Sequence, residues 1–419
     1  MNKEDILKLV EDEREDVINL CSKLLQIPSE NPPGDSTEVS AFIKSYLNEN
    51  GIETVEYEPD PKRFNIIASI GKEGGKELIY CGHSDTVPVG DLSKWDFNPF
   101  SGEVKDGLLL GRGASDMKGG LAGILFAAVF LKKHGIELDG KLTLAVVPDE
   151  ETGSGFGAPW LLENGKIKGD GCLIAEPSGQ LNPTIGQKGS GSFKLTVRGI
   201  PGHASLSPLI GRSAIMDTIK AIEFIRDFTE KKIPQPDDVK ELVAISAKNA
   251  IEEKNSAAAG VFERCSFNVG TISGGTASNV IADKCVVSID SRLPFGIKRY
   301  EFLSQIKDGL NKLGIDYDLE EEGFKSNANY TPAYHPICKS VVDNIKYVRN
   351  TEEAYGVLQW ACSDARHFRE HNIPVLQYGP SINETIHNFN ERVKVEDLVA
   401  CAKVYVLAAI DFLNGVKGV

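Results

Sequence analysis

Short apolar runs separated by helical patterns dominate the first 186 residues of this 419-residue chain. A run of four to eight apolar residues between turn residues is typical of a strand buried on both faces, and an apolar residue every three or four positions indicates a helix. Strands that alternate with helices predict an α/β domain, in which a mostly parallel sheet carries helices on both faces. The predicted strands are 65–70, 77–83, 142–148 and 171–177, and the predicted helices are 36–49, 120–134 and 157–164.

The pattern changes after Gly186, where 192–199 alternates apolar and polar residues as a half-exposed strand does. The next elements follow a β-α-β-β-α-β order, which predicts an α+β, ferredoxin-like domain with two helices on one face of an antiparallel sheet. The polar, glycine- and alanine-rich stretch 233–264 is expected to be an irregular excursion of this domain. The α/β style then returns, so the domains are predicted as 1–186 and 325–419, which together form the α/β domain, and 187–324, which interrupts it.

Charge and cysteine content exclude several classes of protein. Lys and Arg number 46 and Asp and Glu 60, a net charge of −14, whereas nucleic acids and anionic membranes are bound by basic faces. We therefore expect neither as a partner. The longest apolar run, 121–131, is too short to span a bilayer, and the N-terminus has a helical pattern rather than a signal peptide. Eight singly scattered cysteines are typical of reduced thiols in a cytoplasmic protein.

The first candidate functional residues stand at the end of a predicted strand, in CGHSDTVP. In an extended chain, residues two apart point to the same side, so Asp85 can lie beside His83. A metal-bound imidazole is commonly oriented by a carboxylate on its other ring nitrogen. Taken alone, the motif would equally fit a turn in which Asp85 caps a structural histidine.

Further acids and one more histidine occupy equivalent places. Asp116 lies in the glycine-rich segment GRGASDMKGG before a buried helix, Glu150 and Glu151 follow the strand LTLAVV, Glu176 ends the strand LIAEP, and His387 follows PVLQYGP. Ligands of an open α/β sheet gather at the carboxyl ends of its strands. Carboxylates gathered there would repel one another unless a cation lay among them.

Imidazole and carboxylate ligands suit Zn²⁺ or a similar divalent ion, and one carboxylate is able to bridge two ions. Three ligands for each of two ions leave a position open for water, as in catalytic sites. We expect two divalent ions, Zn²⁺ above Co²⁺ or Mn²⁺, with Glu150 as the base. The expected ligand sets are His83, Asp116 and Glu176 for one ion, and Asp116, Glu151 and His387 for the other.

Five motifs in this order, GHSDTVP, GRGASDMKGG, PDEETGS, IAEP and IHNFNE, resemble the signature of the co-catalytic zinc amidohydrolases and metallopeptidases. That family includes acetylornithine deacetylase, succinyl-diaminopimelate desuccinylase, aminoacylase and glutamate carboxypeptidase. The resemblance covers nearly the whole chain. It implies the same five metal ligands, with Asp85 as the acid behind a ligand and Glu150 as the general acid/base.

The resemblance also implies that the inserted domain is a lid that forms a homodimer interface. His203 in GIPGHAS matches a histidine that reaches the reacting carbonyl, often from the partner subunit. Arg292 in SRLP matches an arginine that grips the substrate carboxylate, and Asn279 in GGTASNVIAD a substrate-contacting asparagine, although Ala282 replaces the family's frequent proline there. Asp364 and Arg366 in CSDARHF also resemble a family segment, but helix capping and a structural ion pair explain them equally well.

These residues predict hydrolysis of an amide bond in a small molecule with a free carboxylate. An N-acyl amino acid, as for acetylornithine deacetylase or succinyl-diaminopimelate desuccinylase, is the first expectation. A dipeptidase or carboxypeptidase is the alternative, because Arg292 would hold an α-carboxylate in either case. A binding protein on a decayed hydrolase scaffold is the remaining alternative, against which the complete set of ligands and base argues.

Overall fold

A computed structural model describes residues 1–252 and 256–415 of the chain. Its helices, in chain order, are α1 (Lys3–Asp12), α2 (Arg14–Leu25), α3 (Thr37–Glu49), α4 (Lys118–Lys133), α5 (Ala158–Glu163), α6 (Ala214–Thr229), α7 (Lys240–Glu252), α8 (Ser256–Ala259), α9 (Arg299–Lys312), α10 (Pro336–Arg349), α11 (Ala365–Glu370) and α12 (Val395–Asn414). Its strands are β1 (Thr54–Asp60), β2 (Arg63–Gly71), β3 (Glu77–His83), β4 (Glu103–Lys105), β5 (Leu108–Leu110), β6 (Lys141–Val147), β7 (Gly171–Ile174), β8 (Thr184–Gln187), β9 (Gly189–Ser190), β10 (Phe193–Arg198), β11 (Ser266–Gly274), β12 (Lys284–Leu293), β13 (Asp316–Glu321), β14 (Asn329–Tyr330), β15 (Val357–Gln359), β16 (Val375–Gln377) and β17 (Arg392–Lys394).

The chain divides into two compact units. The first consists of Met1–Ile185, Thr331–Gly356 and Ser363–Val419, and the second of Gly186–Tyr330 and Val357–Cys362. The second unit thus includes β14 and β15, which the sequence pattern placed after the insert.

The first unit is built on a sheet in the order β1-β2-β6-β3-β7-β16-β8. The four strands from β6 to β16 run parallel. The pairs at its two margins, β1 with β2, β2 with β6 and β16 with β8, are antiparallel. The predicted α/β fold is confirmed; its sheet is mixed, with the parallel strands at the centre and antiparallel pairs at both margins. Strand β1 was missed because its half-exposed residues lack an apolar run.

The core of the first unit lies between this sheet and helices α4 and α12. Every residue of α4 from Lys118 to Leu131 is buried, which explains why its sequence is apolar on all sides. At Gly123 a Cβ would lie 2.7 Å from the ring of Tyr405, so the glycine lets α4 and α12 approach closely. No helix among the described residues combines the length and hydropathy that a membrane span requires.

The second unit contains the predicted ferredoxin-like arrangement. Its elements follow the order β10-α6-β11-β12-α9-β13, and its antiparallel sheet has the strand order β11-β12-β10-β13. Buried residues alternate along β12 and pack against apolar residues of both α6 and α9, so one face of the sheet is covered. The outer strand β11 is largely exposed.

The prediction of an irregular excursion over 233–264 is wrong for the described part of that stretch. Helix α7 and the short helix α8 lie there, followed by a 3₁₀ turn over Gly260–Glu263; residues 253–255 lie outside the described residues. Val243 and Phe262 bury their side chains with Phe295 and Leu358 in a second small core of the same unit.

Candidate active site

Three parallel strands of the first unit end beside one another and carry four of the candidate residues. His83 is the last residue of β3, Glu150 and Glu151 follow β6, and Glu176 follows β7. Because β6, β3 and β7 are parallel neighbours, their carboxyl ends meet at one edge of the sheet. A 3₁₀ turn over Glu150–Thr152 then aims two successive acids at that edge.

Asp116 and His387 reach the same edge from loops. Asp116 lies just before α4, and His387 lies between β16 and β17 in a left-handed conformation, φ 55°. His387 is the most exposed of the five predicted ligands, with 51% of its side chain accessible, whereas the side chain of Glu151 is 4% accessible.

The five predicted ligands form one continuous cluster in which Asp116 is central. His83 Nε2 lies 3.2 Å from Asp116 Oδ1 and 3.7 Å from Glu176 Oε1. His387 Nε2 lies 3.2 Å from Asp116 Oδ2 and 3.1 Å from Glu151 Oε2. The two oxygens of one carboxylate therefore face two separate sets of side chains, which is the arrangement that a carboxylate between two cations requires. Single ligand atoms of His83, Asp116 and Glu151, and of His83, Glu150 and Glu176, lie within 4.8 Å of one another.

Asp85 lies behind His83, away from the cluster. Its carboxylate is 3.3 Å from His83 Nδ1, and its backbone oxygen is 2.9 Å from the same nitrogen. Asn31 Nδ2 donates to Asp85 at 2.9 Å, and the backbone N–H groups of Glu150 and Glu151 donate to it at 3.2 and 3.3 Å. Asp85 therefore orients the imidazole so that Nε2 faces the other ligands, and it fixes the acidic turn as well.

Three carboxyl groups of the cluster have raised pKa values, because burial and neighbouring acids disfavour their charged forms. Burial, followed by the charges of neighbouring carboxylates, raises the pKa of Glu150 and of Glu176 well above the usual value. Burial and the charge of Asp116 also raise the pKa of Glu151. Glu151 Oε1 is buried without a hydrogen-bond partner among the described residues.

The two histidines of the cluster have raised pKa values because acids surround them. Hydrogen bonds to Asp116 and Glu151 raise the pKa of His387 to about 10. Burial opposes protonation of His83, but hydrogen bonds to Asp116 and Asp85 raise its pKa well above the usual value. The same contacts hold the pKa of Asp116 low despite burial. A buried group of four carboxylates that recruits protonated imidazoles has the charge of a site for divalent cations.

The remaining candidates lie in the second unit, where the structure separates them into two places. The exposed His203 forms a backbone bridge with Val280, and Ala204 N donates to Asn279 O at 3.1 Å, so His203 and Asn279 are neighbours. Asn279 lies in the connection between β11 and β12, and Arg292 lies near the far end of β12, roughly 25 Å along the strand from Lys284 at about 3.3 Å per residue.

Arg292 forms an ion pair with one acid through two of its three guanidinium nitrogens. Its Nε and Nη2 lie 3.2 Å from the carboxylate of Asp290, whereas Nη1 is buried without a hydrogen-bond partner among the described residues.

Sequence reasoning missed some residues that shape this site. Asp364 is at the N-cap of α11, but its side chain makes no capping bond, so the capping explanation is wrong. It accepts instead from the hydroxyl of Ser154, in the loop after Glu151, and its charge helps to raise the pKa of Glu150. Asn31 and Glu391 were also given no role, although Glu391 is the last letter of the motif IHNFNE.

Comparisons with known proteins agree with this geometry. The family model described as peptidase family M20/M25/M40 matches residues 79–411. A succinyl-diaminopimelate desuccinylase of Hydrogenovibrio crunogenus is 28% identical over 407 residues, which cover 95% of this chain and 99% of the relative. Among solved structures, the M20 family metallo-carboxypeptidase Sso-CP2 of Sulfolobus solfataricus has a TM-score of 0.78 at 21% identity, covering 95% of this chain and 99% of that one. The Bacillus subtilis YXEP protein, titled a dinuclear metal binding peptidase from the M20 family, has a TM-score of 0.66 at 16% identity, with 97% and 100% covered.

Proposed function

Because the chain belongs to peptidase family M20/M25/M40, we propose that it hydrolyses the amide bond of an N-acyl amino acid with the aid of two zinc ions. The resemblance drawn from the five motifs is confirmed by this membership, which makes the protein an amide-bond hydrolase. The finer proposal is supported by the desuccinylase relative, because this chain spans nearly all of that relative's length. The observation that carries it is Asp116, whose two carboxylate oxygens face His83 and His387 at 3.2 Å each.

The side chains of the cluster fit two divalent cations. His83, Asp116 and Glu176 would hold one ion, and Asp116, Glu151 and His387 the other. Imidazole nitrogens and carboxylate oxygens are ligands that zinc accepts, with Co²⁺ or Mn²⁺ as substitutes. The unpartnered oxygen of Glu151 and the raised pKa values of Glu150, Glu151 and Glu176 support the same conclusion, since a cation would relieve both.

Glu150 would serve as the proton carrier of the reaction. When bound, the two cations would supply Lewis acidity and make a water molecule easier to deprotonate. Glu150 would accept a proton from the attacking water and then donate it to the departing amine. A carboxyl group whose pKa is raised by burial is suited to the second step, because it retains the proton until the amine needs it.

Arg292 would bind the free carboxylate of the substrate. A guanidinium binds a carboxylate through its N–H groups, and Arg292 Nη1 has no hydrogen-bond acceptor in the described part of the chain. His203 and Asn279 would contact the reacting carbonyl and the substrate from a second copy of the chain, because within one copy most of the length of β12 lies between Arg292 and the connection that contains Asn279.

The second copy would dock on the outer edge of the second unit. Strand β11 ends the sheet there, and its Ile272 is 52% exposed; Met216 and Ile219 of α6 are 55% and 41% exposed. An unpaired edge strand beside exposed apolar side chains is a suitable surface for a two-fold symmetric contact. Light scattering should give twice the 45.5 kDa of one chain, and Ile272→Lys should reduce that mass towards the monomer. A monomeric wild type would contradict the dimer.

We also propose a cytoplasmic location, because all eight cysteines carry free thiols and thiols stay reduced in the cytoplasm.

The decisive experiment compares wild type with Glu150→Gln. Zinc-loaded wild type should release the amino acid from N-acetyl, N-succinyl or N-formyl amino acids, whereas Glu150→Gln should still bind two zinc ions but lose at least about 100-fold in kcat. Near-normal activity of the variant would remove Glu150 from the proposed role.

A dipeptidase or carboxypeptidase is the second candidate, favoured by the fold shared with the Sulfolobus carboxypeptidase. Dipeptides and N-blocked peptides belong in the same panel. A higher kcat/KM on peptides than on every N-acyl amino acid would replace the deacylase proposal with this one.

A further inference from the structure

Glu391 is a buried carboxylate whose hydrogen bonds converge on one loop of the candidate active site. Glu391 is 1% exposed. Oε1 accepts the backbone N–H groups of Ser115 and Asp116, each at 3.0 Å. Oε2 accepts the backbone N–H of Gly113 at 3.0 Å and Arg112 Nη1 at 2.5 Å. Three main-chain donors and one guanidinium thus surround a single carboxylate.

The loop that Glu391 binds is the one that presents Asp116. The N–H of Asp116 itself is among the donors, so the backbone position of the central carboxylate is tied to Glu391 directly. Ser115 is fixed a second time, because its hydroxyl donates to the backbone oxygen of Arg392 at 2.9 Å.

Glu391 also anchors the segment that carries His387. It lies four residues after that histidine, immediately before β17, and its backbone oxygen accepts from Gly111 N at 3.1 Å. Strand β17 then pairs with β5, which leads into the loop of Asp116. One residue therefore connects the two segments whose side chains, Asp116 and His387, meet at 3.2 Å.

We propose that Glu391 is a positioning residue of the hydrolase: its carboxylate holds the loop from Arg112 to Asp116 so that Asp116 lies between the two halves of the metal centre. This inference rests on the proposed metal centre. The hydrogen bonds of the Glu391 carboxylate go to backbone N–H groups and to Arg112, so it acts on Asp116 through the backbone.

A glutamine is not an equivalent replacement at this position. Each carboxylate oxygen of Glu391 accepts from N–H donors, so either orientation of an amide would turn its NH₂ group towards at least one N–H. The loop would have to move to relieve that contact, and Asp116 would move with it. Residues that orient metal ligands in this way typically contribute about 10- to 100-fold to metal affinity.

If Glu391 only stabilised the fold, its substitution would not weaken zinc binding more than the loss of another buried ion pair does. The chain contains such an ion pair, which serves as a matched control. Asp397 is another buried acid of the first unit, 3% exposed, which pairs with Arg349 Nη1 at 2.9 Å and accepts from Gln180 Nε2 at 2.9 Å. Its substitution also takes the carboxylate partner from a partly buried arginine, and none of these contacts involves a predicted ligand. Asp397→Asn therefore reports the effect of losing a buried ion pair alone.

The experiment measures zinc affinity of the full-length chain by competition with a chromophoric chelator, together with kcat and KM. Glu391→Gln should bind zinc about 10- to 100-fold more weakly and lose kcat with little change in KM, whereas Asp397→Asn should keep wild-type affinity. Equal zinc affinities of Glu391→Gln and wild type, or equal losses in the two variants, would overturn the inference.

A second variant covers the case in which Glu391→Gln does not fold. Glu391→Asp keeps the charge beside Arg112 but is one methylene too short to reach all three N–H groups, and it should show the same loss of affinity. Unchanged affinity in Glu391→Asp would refute the positioning role. A wild type that binds no zinc would instead refute the proposed function, so the two failures are distinguishable.

Discussion

Replacement of Gly120 by alanine tests whether close packing sets the spacing of the candidate metal ligands. Gly120 lies in the first turn of α4, shortly after Asp116, and it faces the backbone oxygen of Ala175, which precedes Glu176. The contact therefore joins the two segments that carry Asp116 and Glu176. Both of these carboxylates face Nε2 of His83.

The size of the effect follows from one distance. A Cβ built on Gly120 would lie 1.8 Å from Ala175 O, whereas real Cβ contacts are essentially never shorter than 3.0 Å, so α4 and the end of β7 would have to separate by roughly 1.2 Å. Overpacking of this kind lowers the free energy of unfolding by about 1–3 kcal/mol. A displacement of about 1 Å in a catalytic constellation lowers the rate by about 100-fold.

Helix propensity predicts the opposite sign, which makes the test discriminating. Alanine favours a helix interior over glycine by about 1 kcal/mol, so a Gly120→Ala variant limited by propensity alone would be more stable than wild type. Urea unfolding, zinc affinity and kcat/KM are to be measured for this variant and for Gly155→Ala. At Gly155 a Cβ would meet nothing within 4 Å, so that variant should resemble wild type. Our reasoning fails if Gly120→Ala is as stable and as active as Gly155→Ala.

Two further predictions concern metal removal and pH. A chelator should lower the Tm measured by calorimetry, because zinc at 100 times its Kd would contribute about 2.7 kcal/mol to the folded state; a Tm that ignores the chelator contradicts the metal centre. Burial, with the charges of Arg366 and His371, lowers the pKa of His367 from 6.5 to about 3, so its contribution to stability is present above pH 6.5 and lost as the pH falls towards 3. The contribution of His367 to the free energy of unfolding should therefore fall by at most ~2 kcal/mol between pH 7 and pH 5, less the part that Glu370 Oε2, 3.4 Å from Nδ1, returns to the protonated ring, and His367→Gln should lack this part of the pH dependence.

The candidate site could be predicted largely because most of the predicted ligands lie next to an element with a strong pattern. His83 and Glu176 end apolar strands, and Asp116 precedes a helix that is buried on all sides. Once the strands are placed in a parallel sheet, their carboxyl ends must share an edge. The local sequence is sufficient to predict these positions, since the apolar pattern that predicts a strand also indicates where the strand ends.

Helix α7 could not be predicted in this way, because its buried side is partly polar. Ser246 and Asn249 are buried at helical spacing, whereas Ile251 on the same helix is 55% exposed. The hydroxyl of Ser246 donates to Leu242 O at 2.6 Å and accepts from Leu358 N at 2.8 Å. The partner of the second bond lies more than one hundred residues away in the chain, so no local pattern reveals why a serine is acceptable inside.

The same limitation explains why no role could be predicted for Glu391, whereas the spacing of Asp85 from His83 was informative by itself. Both acids bind backbone N–H groups of acidic residues of the site, Asp85 those of the turn at Glu151 and Glu391 that of Asp116. A main-chain N–H is present at nearly every position, so its recognition imposes no residue type on the partner, and a motif that contains the acid does not reveal what the acid binds. The guanidinium of Arg112 offsets the charge of Glu391, so this acid would contribute to metal affinity by holding Asp116 in place against the repulsion of the neighbouring acids. A substitution that keeps the charge but not the reach, such as Glu391→Asp, should therefore lose the same contribution.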